Sequence, residues 1–126
     1  MAKSSRIAIG VDIIEIDRIE HAILSWQNSF LGRVYTDAEL NYCHNRVSSL
    51  AARFAAKEAV MKALGTGAIG LSLQDIEILP NVDGAPVIQL HGRAHNKAKE
   101  IGITEFSISM SHNKQYAIAF VVGDAV

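Results

Sequence analysis

Apolar residues alternate with small or polar ones from Ile7: Ile7, Ile9, Val11 and Ile13 fall on one face of an extended segment, and Ala8, Gly10, Asp12 and Ile14 on the other. The pattern predicts a strand that presents Asp12 beside two very small residues. A first helix is expected from Asp17 or Arg18 toward Trp26. Thr36-Asp37-Ala38-Glu39 reads as a capping box opening a second helix that carries Leu40 and Cys43. The longest helix runs from Ser48 or Ser49 to Leu64, with Gly65 where a left-handed terminal residue is wanted.

Short strands follow. Ile76 and Ile78 alternate with Asp75 and Glu77, and the turn from Pro80 to Pro86 leads into Val87–Leu90, which makes a hairpin. A short helix from Ala94 to Glu100 is stopped by Gly102. Phe106–Met110 and Tyr116–Val122 form a second hairpin around Asn113-Lys114-Gln115. This order of helices and hairpins predicts an α+β fold, a mainly antiparallel sheet packed against the long helix.

On that helix, Ala51, Ala52, Ala55, Ala56, Ala59 and Ala63 fill one continuous arc, which suits close approach to a sheet. Phe54, Met61 and Leu50 lie on the other side of Glu58, with Arg53 and Lys57 further round. Glu58 and Lys62 therefore sit between two apolar strips rather than in the middle of a polar face.

Composition adds bounds. The 126 residues are expected to form one domain, 1–126, and 49% hydrophobic with 20% charged residues is ordinary for a globular chain. A formal charge of −1 gives no bulk attraction for nucleic acid. Cys43 is the sole cysteine, which forbids an intramolecular disulfide and fits a reducing compartment, the cytoplasm by default. No stretch is long enough to cross a bilayer, and the N-terminal apolar run is too short for a signal peptide.

Candidate chemistry centres on Glu58 and Lys62. As an i,i+4 pair they contribute about 0.3–0.5 kcal/mol to a solvated helix, but partial burial between apolar strips gives a carboxylate need of a cation. Asp12 could cap the next helix; alternatively, a strand-borne Asp facing a helix-borne Glu can hold a hard divalent cation, with phosphate oxygens and water completing the shell. Spacing leaves both readings open. His112 ends its strand as either a surface histidine or a phosphate contact, Ser107, Ser109 and Ser111 share one strand face, and His21, His44, His91 and His95 show no ligand-like grouping. Gly65-Thr66-Gly67 follows its helix instead of opening one, so a helix cap explains it better than a phosphate loop.

Three segments carry a resemblance: Gly10-Val11-Asp12-Ile13-Ile14-Glu15-Ile16-Asp17-Arg18-Ile19, Arg53-Phe54-Ala55-Ala56-Lys57-Glu58-Ala59-Val60-Met61-Lys62-Ala63-Leu64-Gly65-Thr66-Gly67, and Ser109-Met110-Ser111-His112. Together they resemble the small bacterial holo-[acyl-carrier-protein] synthases of the 4′-phosphopantetheinyl transferase superfamily. The resemblance implies transfer of phosphopantetheine from coenzyme A to a serine of apo acyl carrier protein in fatty acid biosynthesis, releasing adenosine 3′,5′-bisphosphate. It also implies Mg²⁺ and a homotrimer with coenzyme A at subunit interfaces.

Carried over by position, Asp12 and Glu58 would hold the metal, and Glu58, Lys62 and His112 would be catalytic. Arg53, Phe54, Lys62, Gly65 and His112 would contact coenzyme A, and Arg18 and Arg33 the acidic carrier protein. Either Glu58, through water, or His112 would take the serine proton. The first helix departs from the family pattern: Asp17 to Ser29 offers only Arg18 and His21 as basic groups beside Asp17 and Glu20, so docking is expected to lean on Arg33 and on shape. A metal-dependent phosphohydrolase using Asp12 and Glu58, and a binding domain in which Glu58 and Lys62 merely pair, are the competing readings.

Overall fold

The computed structural model describes residues 7–65 and 70–125. The elements run β1 (Ile7–Glu15), α1 (Ile16–Trp26), α2 (Asn28–Val34), α3 (Asp37–Cys43), α4 (Val47–Leu64), a 3₁₀ turn (Leu73–Asp75), β2 (Ile76–Pro80), β3 (Pro86–Leu90), α5 (Gly92–Ile101), β4 (Glu105–His112) and β5 (Tyr116–Asp124). Antiparallel β1-β5-β4 form one sheet and antiparallel β2-β3 a second ribbon, with α4 packed on β1 and β5. The expected strands, both hairpins and the long helix are all present. Helix α2 is an addition: it is a seven-residue helix with Gly32 inside, set off from α1 by Gln27 at φ 47°, and too short to show a period.

The alanine arc of α4 explains how closely the helix sits on the sheet. Ala51, Ala55, Ala56 and Ala59 are fully buried, and a Cβ placed on Gly10 of β1 would lie 1.9 Å from the Ala59 carbonyl oxygen. Backbone meets backbone here, and only glycine fits. The inward face of β1 is therefore small at Ala8 and Gly10, with Ile14 buried further along, and its other large residues point outward: Ile7, Ile9, Val11 and Ile13 are 48–66% exposed. On the neighbouring strand, Phe120 pairs with Val11 and Ile118 with Ile13, so the outer sheet face is a continuous apolar surface.

Lys57, which the wheel places further round from Phe54, Met61 and Leu50, has a fully buried side chain. Its ammonium donates to Glu39 Oε1 at 2.7 Å and to the carbonyls of Leu73 and Ile76. Glu39, the last residue of the predicted capping box, accepts from the Thr36 amide at 2.9 Å with the same oxygen and from the Ile78 amide at 2.9 Å with the other. Burial pushes the lysine pKa down, while Glu39 opposes that shift. Because every polar atom of the pair is satisfied, deleting one partner would strand a buried charge at a cost of about 3–5 kcal/mol.

The Gly10 contact gives a direct test of the packing. Gly10→Ala forces β1 off α4, and overpacking of this kind costs about 3 kcal/mol. Urea denaturation is expected to show a lower midpoint with an unchanged slope, the unfolding free energy in water falling by about 3 kcal/mol.

Candidate active site

Close packing of β1 on α4 sets the site. Asp12 lies two residues beyond Gly10 on the same face of β1, and Lys62 lies three residues, nearly one turn, beyond Ala59 on α4. The Lys62 ammonium donates to Asp12 Oδ1 at 3.0 Å and to the Val11 carbonyl at 3.0 Å. Lys62 thus pairs across to the strand instead of along its own helix to Glu58. The Lys62 side chain remains 56% exposed and Asp12 only 19%, so the cation can still reach a further anion.

Glu58 joins this cluster electrostatically. Its carboxyl pKa is raised, first by burial and second by the Asp12 charge, with Lys62 opposing. Two neighbouring carboxylates beside a cation form a donor set for a hard divalent ion, which takes one or two carboxylates and fills its shell with water and phosphate oxygens. Among the described residues no third His, Cys, Asp or Glu joins them.

Glu58 also lines a cleft of about 760 Å³ between α1, α2 and α4, with Trp26, Phe30, Arg33, Phe54 and Leu73. Phe54 stacks on Phe30 at 6.3 Å between centroids, and Trp26 is 67% exposed at the cleft. Arg33 therefore shares a cleft with Glu58, while Arg18 lies exposed on α1.

Arg53 and His112 meet elsewhere. Both line a smaller pocket of about 230 Å³ with Arg46, Tyr42, Ser49 and Ser111. Arg53 is 5% exposed, and its Nε donates to the Ile78 carbonyl at 3.1 Å. Arg46 donates to the carbonyls of Cys43 and Tyr42 at the end of α3. Among the described residues, neither guanidinium pairs with a carboxylate. Two cations without counter-ions in one pocket, one of them buried, make a phosphate-type anion site.

Sequence reasoning missed Arg46, though its position seven residues before Arg53 places both on one side of the chain entering α4. Gly65 closes α4 at φ 77°, its amide bonded to the Met61 and Lys62 carbonyls, as the cap reading requires. Thr66 and Gly67 lie outside the described residues. Along the helix axis, Arg53 and Lys62 stand roughly 13 Å apart at 1.5 Å per residue, so the anion pocket and the carboxylate cluster are separate on one copy.

A paired-carboxylate cluster with a lysine, set on an α+β frame beside a separate guanidinium pocket, defines a phosphoryl-transfer class of protein. The chain belongs to the 4′-phosphopantetheinyl transferase superfamily, whose sequence profile matches residues 8–121. A holo-[acyl-carrier-protein] synthase of Herpetosiphon aurantiacus is 47% identical over 121 residues, spanning 90% of this chain and 95% of its own. The Helicobacter pylori holo-[acyl-carrier-protein] synthase, solved in complex with coenzyme A, superposes with a TM-score of 0.82 at 40% identity, covering 91% of this chain and 98% of its own. A Bacillus anthracis holo-(acyl-carrier-protein) synthase, in complex with CoA (3′,5′-ADP), gives 0.78 at 32% identity over 98% and 100% of the two chains.

The carboxylate pair can be tested without activity. In metal-free protein, Asp12→Asn removes the negative charge that raises Glu58 and frees Lys62 to approach it, so both effects lower the Glu58 pKa. Carboxyl ¹³C NMR is expected to show that midpoint move down, toward the ordinary glutamate value. An unmoved midpoint would mean that the two carboxylates do not share a site.

Proposed function

We propose that the chain performs the holo-[acyl-carrier-protein] synthase reaction as one domain, at a site completed by a second copy of itself. The phosphopantetheine group of coenzyme A passes to a serine of apo acyl carrier protein, a step of fatty acid synthesis. The observation that carries the reading is the convergence of Asp12, Glu58 and Lys62, from two elements held together by the Gly10 contact.

Asp12 and Glu58 are the residues that would hold Mg²⁺. When bound, that ion neutralises charge on the phosphate oxygens of the reacting pyrophosphate. Lys62 adds a cation already fixed against Asp12, so little reorganisation is needed as charge shifts to the leaving group. Glu58 lines the cleft beside this cluster, and either Glu58, through water, or His112 takes the serine proton. Phe54 and Gly65 flank the coenzyme A path on either side of this cluster. Arg33 at the same cleft and Arg18 on α1 supply the positive charge for an acidic carrier. Arg46, Arg53 and His112 hold the nucleotide end, binding the phosphate monoester that remains on adenosine 3′,5′-bisphosphate.

The outer face of the sheet supports the assembly. Ile7, Ile9, Val11 and Ile13 on β1 beside Ile118 and Phe120 on β5 form a contiguous exposed apolar patch, the kind of surface that marks an interaction site. Copies of the chain cover it as a homotrimer, and the nucleotide pocket of one copy then serves the carboxylate cluster of the next. Among the described residues no helix is long and apolar enough to cross a membrane; we place the reaction in the cytoplasm, where coenzyme A and the carrier meet.

With intact-mass detection of the modified carrier protein, Asp12→Ala and Glu58→Gln are expected to abolish Mg²⁺-stimulated transfer. Lys62→Ala is expected to lower kcat/KM by about a hundredfold, or about 2.7 kcal/mol. Unchanged kinetics would leave Lys62 as a surface ion pair worth under about 1 kcal/mol.

Assembly gives a separate test. Mixing inactive Glu58→Gln with inactive Arg46→Glu subunits is expected to restore activity, because some interfaces combine an intact cluster with an intact pocket. No recovery after subunit exchange, confirmed by native mass spectrometry, would confine the site to one copy.

A further inference from the structure

The guanidinium pocket contains one group that the transfer reaction does not account for. Tyr42, in the last turn of α3, is 41% exposed and lies outside the core. The guanidinium carbon of Arg53 lies 4.9 Å from its ring centroid, and that of Arg46 lies 5.4 Å away. One aromatic ring thus touches both cations that lack a carboxylate.

Two like charges in one pocket repel, and neither is neutralised by an acid among the described residues. The electron-rich face of a phenol ring offsets part of this repulsion, most effectively where the cation is desolvated, as Arg53 is. The ring also gives both guanidinium groups one shared neighbour. Their remaining anchors are backbone carbonyls: Ile78 and, at a longer 3.4 Å, Ser49 for Arg53, and Cys43 and Tyr42 for Arg46. Those bonds use only part of each fork and leave N–H donors for a ligand. Among the described residues the Tyr42 hydroxyl makes no hydrogen bond, so the ring carries the contact.

We propose that Tyr42 is a positioning residue for substrate selection: by holding Arg46 and Arg53 together it sets the preference for coenzyme A over the same molecule without its 3′-phosphate. The inference rests on the assignment of this pocket to that phosphate. A pre-aligned pair of guanidiniums binds a dianionic monoester without first paying to order two long side chains. Without the ring, each arginine keeps its backbone anchor but loses the shared neighbour, and the penalty falls on the ligand that needs both.

The test is steady-state kinetics with coenzyme A and with 3′-dephospho-coenzyme A, for the wild type, Tyr42→Phe, Tyr42→Leu and Arg46→Met. Tyr42→Phe keeps the ring and is expected to behave as wild type. Tyr42→Leu is expected to raise KM for coenzyme A about tenfold, with kcat and the KM for the dephospho compound unchanged; a role confined to folding would move both substrates alike. Arg46→Met is expected to lose the preference as well. If Arg46→Met loses the preference while Tyr42→Leu keeps it, the pocket assignment stands and the role of Tyr42 is overturned. If the wild type uses both substrates equally, the pocket does not read the 3′-phosphate and the inference falls with it.

Discussion

The buried ion pair of Lys57 and Glu39 is the constraint on which the polar half of the molecule depends. A lysine ammonium without water needs every proton placed, and here the acceptors come from three different segments: the capping box of α3, the 3₁₀ turn and the start of β2. Glu39 is committed just as fully, to Lys57, to its own N-cap and to the Ile78 amide. The segments cannot move apart without breaking bonds to a charge that has no solvent to turn to. Lys57 precedes Glu58 on α4, and helical geometry turns consecutive side chains about 100° apart. The same turn of helix therefore sends a structural cation inward and the Glu58 carboxylate into the cleft, whose lining includes Leu73, the residue whose carbonyl Lys57 grips.

What could be read from the sequence was whatever short-range pattern controls. The β1 alternation, the capping box at Thr36 and the glycine stop at Gly65 involve neighbours within one turn or one pleat, and all appear as expected. The alanine arc was legible too, because a run of small residues has few uses other than close approach. What escaped depends on partners distant in the chain. A helical wheel gives direction but not depth, and the burial of Lys57 depends on segments from beyond residue 70. The pairing of Lys62 with Asp12 spans 50 positions, and counting along one helix offers only Glu58. Likewise Arg46 and Tyr42 become part of a pocket only once β4 brings His112 to them.

The charge arrangement resolves an apparent contradiction. A chain of formal charge −1 has no overall attraction for polyanions, yet the reaction handles a substrate bearing several phosphate charges. Positive charge is placed locally: Lys62 against Asp12, and two guanidiniums anchored by carbonyls instead of carboxylates. Among the described residues, acids elsewhere balance the sum without pairing with the two guanidiniums. The outer sheet face shows the complementary economy, with its large apolar residues turned away from α4 because the helix approaches too closely to admit them.

That closeness has a mechanical consequence. Most helix-on-sheet contacts are cushioned by long side chains that can change rotamer, so the two layers slide by fractions of an ångström as the cushions rearrange. Between Gly10 and Ala59 there is no cushion, only main chain against main chain. Asp12 and Lys62 are mounted within three residues of this hard stop, one on each layer. The backbone positions from which they extend are thus set by main-chain contact rather than by the averaging of mobile side chains, which makes the joint a stiff bearing.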